Sequence, residues 1–197
     1  DGRLVRRGAV VRLADRHVCA ARAGWSGQGG FELYLDAPSE GERLWDAIVD
    51  RGADLDLRPG CPNLIDRIET GLLSFGNDMT LRNNPIEAGL DRFFKMGKAA
   101  EYLGQKALEK IAESGPDKRM VRLVAPGAAI CNPRETYAME VGETKLSGEV
   151  TSITYSPRFD CNIGLGYAPA NASDVGTQVV IHGPDKVVAG QIANNEW

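Results

Sequence analysis

The first third of the chain alternates apolar and polar residues in the manner of β-strands. Residues 9–23 predict one strand, a glycine-rich turn follows, and residues 30–36 predict a second strand that returns beside the first. In the second strand Glu32 and Tyr34 share one face, and the apolar residues between and beside them share the other. The pattern therefore predicts a hairpin that presents a carboxylate and a phenol side by side.

Helical periodicity appears next, in stretches that end at a glycine. In residues 38–52 the apolar residues recur at helical spacing, Ser39 and Glu42 have the spacing of a capping box, and Gly52 is placed to end the helix. Residues 101–115 predict another helix, which a glycine and the proline after it stop.

A further helix is predicted between these two, over residues 61–76. Its buried side is predicted from four apolar residues: Leu64, Ile65, Ile68 and Leu72. Asn63, Arg67 and Thr70 follow one another at i, i+4 and i+7, so they share a different face. Residues 76–85 cluster Gly, Asn, Asp and Pro and are predicted to form a loop.

After residue 115 the sequence changes to short β-rich runs separated by Gly, Pro and Asn. The runs lie at residues 118–127, 148–157, 162–170, 177–183 and 186–193. Their close spacing predicts a small all-β barrel or sandwich. The predicted fold class is α+β, with an α/β portion over residues 1–115 and a β-barrel domain over residues 116–197.

The bulk composition narrows the function classes. The chain of 197 residues is 43% hydrophobic and 25% charged and carries a formal net charge of −4, which gives no support to nucleic-acid binding. No apolar run reaches the length of a membrane span, so no membrane partner is predicted. No signal peptide is visible, and Asp1 opens inside a strand-like stretch without an initiating Met. We therefore expect an upstream part of the protein to be missing.

The cysteines are too widely spaced for a zinc site or a disulfide framework. They are Cys19, Cys61, Cys131 and Cys161. We expect no metal site, and we expect reduced thiols in a cytoplasmic protein.

The most informative chemistry lies in the pair Glu32 and Tyr34. A carboxylate accepts two parallel hydrogen bonds from paired N–H donors, and the 2-amino and N3–H edge of a pterin offers such a pair. Trp25, just before the strand, can supply an apolar wall for the ring. The alternative is that Glu32 and Tyr34 form the solvated outer face of a half-buried strand. The residues alone leave both interpretations open.

Six motifs occur in an order that resembles the glycine-cleavage T-protein family, whose members are folate-dependent aminomethyltransferases and their relatives. The motifs are GWSGQGGFELYL, CPNLIDRIETGLLSFGNDMT, NNPIEAGLDRFFK, LGQKAL, GEVTSITYSP and IGLGYA. The resemblance covers nearly the whole chain but only about the second half of a family member. The variants in the first three motifs are most similar to the dimethylsulfoniopropionate demethylase branch.

The resemblance implies a folate-binding α/β portion followed by a C-terminal β-barrel, with tetrahydrofolate as the cofactor. It assigns Glu32, Trp25 and Arg67 to cofactor binding and Tyr34 and Trp25 to substrate binding. Arg67 has a second interpretation as a structural ion-pair partner. The family's catalytic aspartate belongs to the N-terminal half, so no catalytic residue is assigned in this chain.

Two departures from the T proteins of glycine cleavage bear on the implied reaction. This chain carries Trp25-Ser26-Gly27-Gln28 in place of YTGE, and Asn63 in place of an arginine near the folate. Both favour demethylation of dimethylsulfoniopropionate with transfer of the methyl group to tetrahydrofolate. The alternatives are an aminomethyltransferase, another folate-dependent O- or N-demethylase, and a non-catalytic folate-binding or interaction module. The expected partners are a small-molecule methyl donor and the missing N-terminal half.

Overall fold

A computed structural model of the chain describes residues 8–13, 16–24, 26–27, 29–61, 63–98, 101–130, 136–183 and 185–194. The chain divides into two compact units, Asp1–Asp66 and Arg67–Trp197. Among the described residues, no helix is long and apolar enough to cross a membrane.

The first unit contains a three-stranded antiparallel sheet in the order β1-β2-β3. Its strands are β1 (Gly8–Leu13), β2 (Arg16–Ala21) and β3 (Glu32–Tyr34). The predicted single strand over residues 9–23 is wrong, because Leu13 pairs with Arg16 and the run divides into two adjacent strands. The run contains an Asp, a residue type that is frequent in turns. Because the valines on both sides of it favour strands, the sequence pattern did not indicate a turn there. The predicted return strand is confirmed, and it pairs with β2.

The sheet is followed by α1 (Gly41–Gly52), which confirms the first predicted helix. The predicted capping box of Ser39 and Glu42 is wrong, because α1 begins at Gly41 and the residue before it makes no side-chain capping bond. A Cβ at Gly52 would lie 2.4 Å from Leu57 Cδ2, so only glycine allows the chain to fold back at this helix end. Short 3₁₀ helices flank α1 at Pro38–Glu40 and Ala53–Leu55.

The next helix, α2 (Leu64–Glu69), is much shorter than predicted. It ends before Gly71, which adopts a positive φ of 67° that glycine reaches without the steric cost of a Cβ. Leu72, predicted on the buried side, lies beyond the helix and is 38% exposed. The last helix, α3 (Gln105–Ser114), confirms the prediction, and Gly115 follows it with φ of 78°.

A closed six-stranded barrel in the order β4-β7-β6-β5-β8-β9 occupies the second unit, and β4 pairs with β9 to close it. The strands are β4 (Lys118–Ala125), β5 (Tyr137–Val141), β6 (Leu146–Ser156), β7 (Cys161–Pro169), β8 (Gln178–His182) and β9 (Val187–Ala193). The α+β class with a C-terminal barrel is confirmed. The sequence prediction missed β5, and the domain boundary between residues 115 and 116 stays a prediction.

The hydrophobic core of this unit fills the barrel. On β4, Val121, Leu123 and Ala125 point inward and are at most 6% exposed, whereas the residues between them point outward. Each fully buried large apolar side chain contributes roughly 1.5–3 kcal/mol of transfer free energy. Closure also pairs both strands that would otherwise be edges. The barrel is therefore a rigid support for the side chains on its outer face.

Candidate functional site

Glu32 and Tyr34 lie two residues apart on β3, as the sequence alternation predicts. The Tyr34 hydroxyl donates a hydrogen bond of 2.5 Å to Glu32 Oε2. Strand pairing places Ala21 of β2 opposite Glu32, and Cys19 of β2 opposite Tyr34. The carboxylate and the phenol therefore form one hydrogen-bonded pair on the sheet of the first unit.

The pair is open to solvent, and its electrostatics keep the phenol protonated. Tyr34 is 55% exposed. The pKa of Tyr34 is raised above its ordinary value of 10, first because its hydroxyl donates to the Glu32 carboxylate and second because the charge of that carboxylate opposes a phenolate. No described residue hydrogen-bonds to Oε1 of Glu32. One carboxylate oxygen therefore holds the phenol, and the other is available to a donor from a ligand.

Apolar surface adjoins the pair. Val10 of β1 pairs with Cys19, which pairs with Tyr34, so the three residues form a row across the sheet. Val10 is 72% exposed. Trp25 lies outside the described residues, so its assignment to the cofactor and the substrate stays a prediction. The described surface alone can offer a ring or a cation both apolar contact and a carboxylate.

Asn63 begins α2 through its side chain. Its Oδ1 accepts a hydrogen bond of 2.9 Å from the backbone N–H of Asp66, and its Nδ2 donates one of 2.8 Å to Asp66 Oδ2. This reciprocal arrangement satisfies an N–H group that the helix leaves without an internal partner. The position where the resemblance expects an arginine thus carries a neutral helix cap.

Arg67 lies in the second unit, in a buried polar network. Its side chain is 1% exposed, and its Nη1 donates to Asp78 Oδ2 at 2.5 Å and to the Leu72 carbonyl at 2.8 Å. Its Nη2 donates to the Ser152 hydroxyl at 2.7 Å. These contacts favour the interpretation of Arg67 as a structural ion-pair partner. Binding of the cofactor by Arg67 stays a prediction that none of these contacts supports.

Asp78 completes the network. Its Oδ1 accepts from the hydroxyls of Thr151 at 2.9 Å and Ser152 at 2.6 Å. Its Oδ2 accepts from the backbone N–H of Ser74 at 2.8 Å, in addition to Arg67. The four bonds use the acceptor sites of the carboxylate, so the buried charge is both paired and solvated by the protein.

A β-bulge aims two consecutive hydroxyls at this carboxylate. The register between β6 and β7 shifts between Val150 and Ser152, so Thr151 and Ser152 both reach Asp78 instead of alternating across the strand. Gly166 of β7 allows the close approach, because a Cβ there would lie 2.3 Å from a carbonyl oxygen of β6. The bulge is therefore what joins the polar network to the barrel.

Sequence reasoning missed Asp78 because it lies in a loop of polar residues, where an Asp is normally solvated. Its partners Arg67 and Ser152 are 11 and 74 positions away. The one available signal is the pair of consecutive hydroxyl residues, Thr151 and Ser152, in a predicted strand, and that pair does not identify the partner.

Metal ligands do not cluster in the described part of the chain. Those residues contain no group of three or more His, Cys, Asp or Glu side chains that could hold a metal ion. Cys19, Cys61 and Cys161 are free thiols, and Cys131 lies outside the described residues. Burial, and then the negative charge of Asp160, raise the pKa of the Cys161 thiol.

Two protein-family models match the chain. Residues 6–98 match the GCVT N-terminal domain. Residues 118–195 match the glycine cleavage T-protein C-terminal barrel domain, and this range contains all six strands of the closed barrel.

Individual relatives are of two kinds. The dimethylsulfoniopropionate demethylase DmdA of Ruegeria pomeroyi is 37% identical over 94% of this chain and 50% of its own length. An aminomethyltransferase of Streptomyces avermitilis is 35% identical over 96% of this chain and 53% of its own length. The crystal structure of glycine cleavage system aminomethyltransferase T from Bartonella henselae has a TM-score of 0.76 at 25% identity, over 91% of this chain and 49% of that one. The chain thus spans about half the length of these relatives.

Proposed function

Because the chain belongs to the glycine-cleavage T-protein family, we propose that the protein containing it transfers a methyl group to tetrahydrofolate. The proposed reaction is demethylation of dimethylsulfoniopropionate to methylmercaptopropionate, with formation of 5-methyltetrahydrofolate. Members of this family use tetrahydrofolate as the folate substrate or cofactor. The identity of the methyl donor is what distinguishes this proposal from aminomethyl transfer.

The exposed Glu32 carboxylate carries the folate part of the proposal. It stands on β3 with one oxygen held by Tyr34 and the other available. A pterin edge presents two adjacent N–H donors, which fit the two oxygens of one carboxylate, and the charge strengthens both bonds. Trp25 is proposed to wall the same pocket. Arg67 is left out of the pocket, because its guanidinium is buried against Asp78.

The proposed transfer depends on alignment more than on acid–base chemistry. The bond between the methyl carbon and sulfur breaks, and its electron pair stays on sulfur, which becomes a neutral thioether. A new bond forms between the methyl carbon and N5 of the folate, and the N5 proton passes to water or a base. Because a sulfonium is already an activated donor, the protein must mainly hold the two reactants in line and exclude water.

Three observations support the sulfonium as donor. The relative named as a demethylase is 37% identical over 94% of the chain. Asn63 is neutral and fully engaged with Asp66, so it places no fixed positive charge where the resemblance expects an arginine. The exposed Tyr34 ring can attract a sulfonium by roughly 0.5–2 kcal/mol through its π face.

No catalytic residue of this chain is part of the proposal. The resemblance places the family's catalytic aspartate in the half of the protein that precedes this chain, and that half is the proposed intramolecular partner. The chain spans 50% of the demethylase relative, so a complete pocket is proposed to need both halves. A cytoplasmic reaction is part of the same proposal.

The methyl donor can be tested with the complete protein. Dimethylsulfoniopropionate, dimethylglycine and an aminomethyl-lipoyl protein are each incubated with tetrahydrofolate, and the folate products are measured by mass spectrometry. We expect kcat/KM for dimethylsulfoniopropionate to exceed the others by at least about tenfold, which needs only about 1.4 kcal/mol of differential transition-state binding. Faster turnover of dimethylglycine or of the lipoyl substrate would reject the demethylase assignment.

Aminomethyl transfer is the second candidate, because aminomethyltransferases 32–36% identical to the chain are also among its relatives. The same experiment decides between the two reactions. A protein that binds tetrahydrofolate and turns over no donor would instead support the non-catalytic folate-binding module.

A further inference from the structure

We propose that Tyr34 is a positioning residue that acts on folate through Glu32 and does not itself bind the methyl donor through its hydroxyl. This inference rests on the proposed folate-dependent function. It departs from the assignment of Tyr34 to the substrate, and it follows from the contact between the Tyr34 hydroxyl and Glu32 Oε2.

The geometry makes the pair local and self-contained. The two side chains leave β3 on the same face, two residues apart, so the strand itself fixes their separation. Glu32 is an exposed side chain with several rotatable bonds, and without a partner it would sample many rotamers. The hydrogen bond restricts that sampling before a ligand arrives, and restricting a binding group in advance strengthens binding.

The single hydrogen of the Tyr34 hydroxyl distinguishes a role in positioning Glu32 from a role in donating to the methyl donor. A tyrosine hydroxyl has a single hydrogen, and in this structure that hydrogen is directed to Glu32. The hydroxyl therefore has only lone pairs left for another molecule, whereas the ring remains exposed. A carboxylate oxygen accepts up to two hydrogen bonds. Oε1 and the second acceptor site of Oε2 therefore remain for the two N–H donors of a pterin edge.

The titratable surroundings keep this donor in place. The raised pKa of Tyr34 means that the phenol stays protonated up to pH values above 10. Glu32 raises this pKa most, and the Cys19 thiol across the strand pair contributes least. The phenol therefore remains a hydrogen-bond donor at neutral pH.

The first test is a double-mutant cycle on the complete protein, with the dissociation constant of tetrahydrofolate measured by calorimetry. Loss of a charged hydrogen-bond pair in Glu32→Gln should weaken binding about 10- to 150-fold. Tyr34→Phe, which removes only the hydroxyl, should weaken it about 2- to 10-fold. In the Glu32→Gln background Tyr34→Phe should change binding by less than about twofold, because the residue through which it acts is already altered.

Three outcomes would overturn the inference. Additive effects of the two substitutions on folate binding would show that Tyr34 does not act through Glu32. An increase in KM for the methyl donor with unchanged folate binding in Tyr34→Phe would show that Tyr34 meets the donor directly. An unchanged folate dissociation constant in Glu32→Gln would reject the folate site itself. The positioning role of Tyr34 would be rejected at the same time. This outcome is distinguished from the others because the Glu32→Gln variant alone reveals it.

The second test examines the pair without any ligand. The difference in absorbance near 295 nm between the protein and Tyr34→Phe reports the ionisation of Tyr34 during alkaline titration. We expect Tyr34 to ionise above pH 10 in the unsubstituted protein and to move back toward 10 in Glu32→Gln. A midpoint that does not respond to Glu32→Gln would show that the pair does not form in solution, and the inference would fail. A tyrosine that does not contact Glu32 would not show this dependence.

Discussion

Among the described side chains, Arg67 and Asp78 form a fully buried ion pair, with exposures of 1% and 0%. We expect Asp78→Ala to destabilise the protein by about 3–5 kcal/mol, because it leaves the guanidinium buried without its counter-charge. The matched control is Lys145→Met, which breaks an ion pair of 3.3 Å with Glu140 at the surface and should cost no more than about 1 kcal/mol.

Urea denaturation of the complete protein and of both variants measures these differences in the free energy of unfolding. Similar losses for Asp78→Ala and Lys145→Met would contradict the buried network. Intact binding of tetrahydrofolate by folded Asp78→Ala at low temperature would separate this structural role from a role in the pocket.

The Tyr167 hydroxyl is a second residue whose environment gives a testable consequence. Tyr167 is 2% exposed, and its hydroxyl has no hydrogen-bond partner among the described residues. Burial raises its pKa above the ordinary value of 10, and the carboxylates Glu87, Asp78 and Glu149 raise it further. A raised folded-state pKa favours folding below pH 10, and this contribution is lost as the pH rises above 10.

We therefore expect Tyr167→Phe to keep or raise stability at pH 7, because an unpartnered buried hydroxyl costs about 1–3 kcal/mol. We also expect it to lose less stability than the unsubstituted protein between pH 10 and pH 12, where the Tyr167 phenol would have to ionise. Thermal unfolding over this pH range measures both effects. Tyr155→Phe is the contrast, since it removes a hydroxyl that donates to Asp160 and should lower stability at pH 7. A destabilised Tyr167→Phe at pH 7 would show that the hydroxyl has a partner.

At the scale of the elements, the end of α2 depends on Gly71. A Cβ at this position would lie 2.0 Å from Arg122 Nη2, which donates to the carbonyl of Thr70 at 3.4 Å. Gly71→Ala therefore combines an unfavourable positive φ, which costs about 1–2 kcal/mol, with displacement of a guanidinium. Gly97→Ala provides the matched control, because Gly97 has φ of 70° and open space where its Cβ would stand.

We expect Gly71→Ala to lower the free energy of unfolding by more than Gly97→Ala does. Combining Gly71→Ala with Arg122→Met should remove the excess, because the shorter, uncharged side chain can move away. Chemical denaturation of the unsubstituted protein, the two glycine variants and the double variant gives these free energies of unfolding. Equal decreases in the free energy of unfolding for Gly71→Ala and Gly97→Ala would mean that the Arg122 side chain moves away from the new Cβ without destabilising the protein.

The elements show where local sequence patterns suffice. Five barrel strands and the helices α1 and α3 agree with the prediction, because their apolar periodicity and the turn residues beside them point to the same element. The missed strand β5 alternates its apolar residues with Ala138 and Glu140, residue types that are less frequent in strands. The hairpin of β1 and β2 was predicted as one strand. The helix over residues 61–76 was predicted too long because the leucines after Gly71 continue the apolar pattern, whereas the positive φ at Gly71 ends the helix.

Some features of the candidate site were also predictable from the sequence, and others were not. The alternation of β3 was enough to predict that Glu32 and Tyr34 share a face. It could not predict that Tyr34 donates to Glu32, because a rotamer choice decides that contact. The partners of Arg67 were also beyond the sequence, since they come from a loop and from a bulge in β6 that only the folded barrel brings together.

At the scale of the whole molecule, the second unit has its own closed barrel and core, whereas the first presents a sheet with exposed apolar residues. Val10, in the same row of the sheet as Tyr34, is 72% exposed, and Phe31, which the strand alternation assigns to the other face, is 71% exposed. In such an open position water competes for the hydrogen bonds that a folate would make, so each contributes little net free energy. The pair is therefore expected to bind folate strongly only where additional protein excludes water from it.

This leads to the expectation that the 197-residue chain by itself catalyses no methyl transfer. The chain spans about half the length of its relatives, and the resemblance assigns the catalytic aspartate to the other half. The purified chain is incubated with tetrahydrofolate and dimethylsulfoniopropionate, and 5-methyltetrahydrofolate is measured by mass spectrometry. The complete protein, assayed in parallel, supplies the positive control, and heat-inactivated chain supplies the background. Product above that background from the chain alone would show that residues 1–197 already contain a working catalytic centre, and the search for it would then begin at Glu32 and Tyr34.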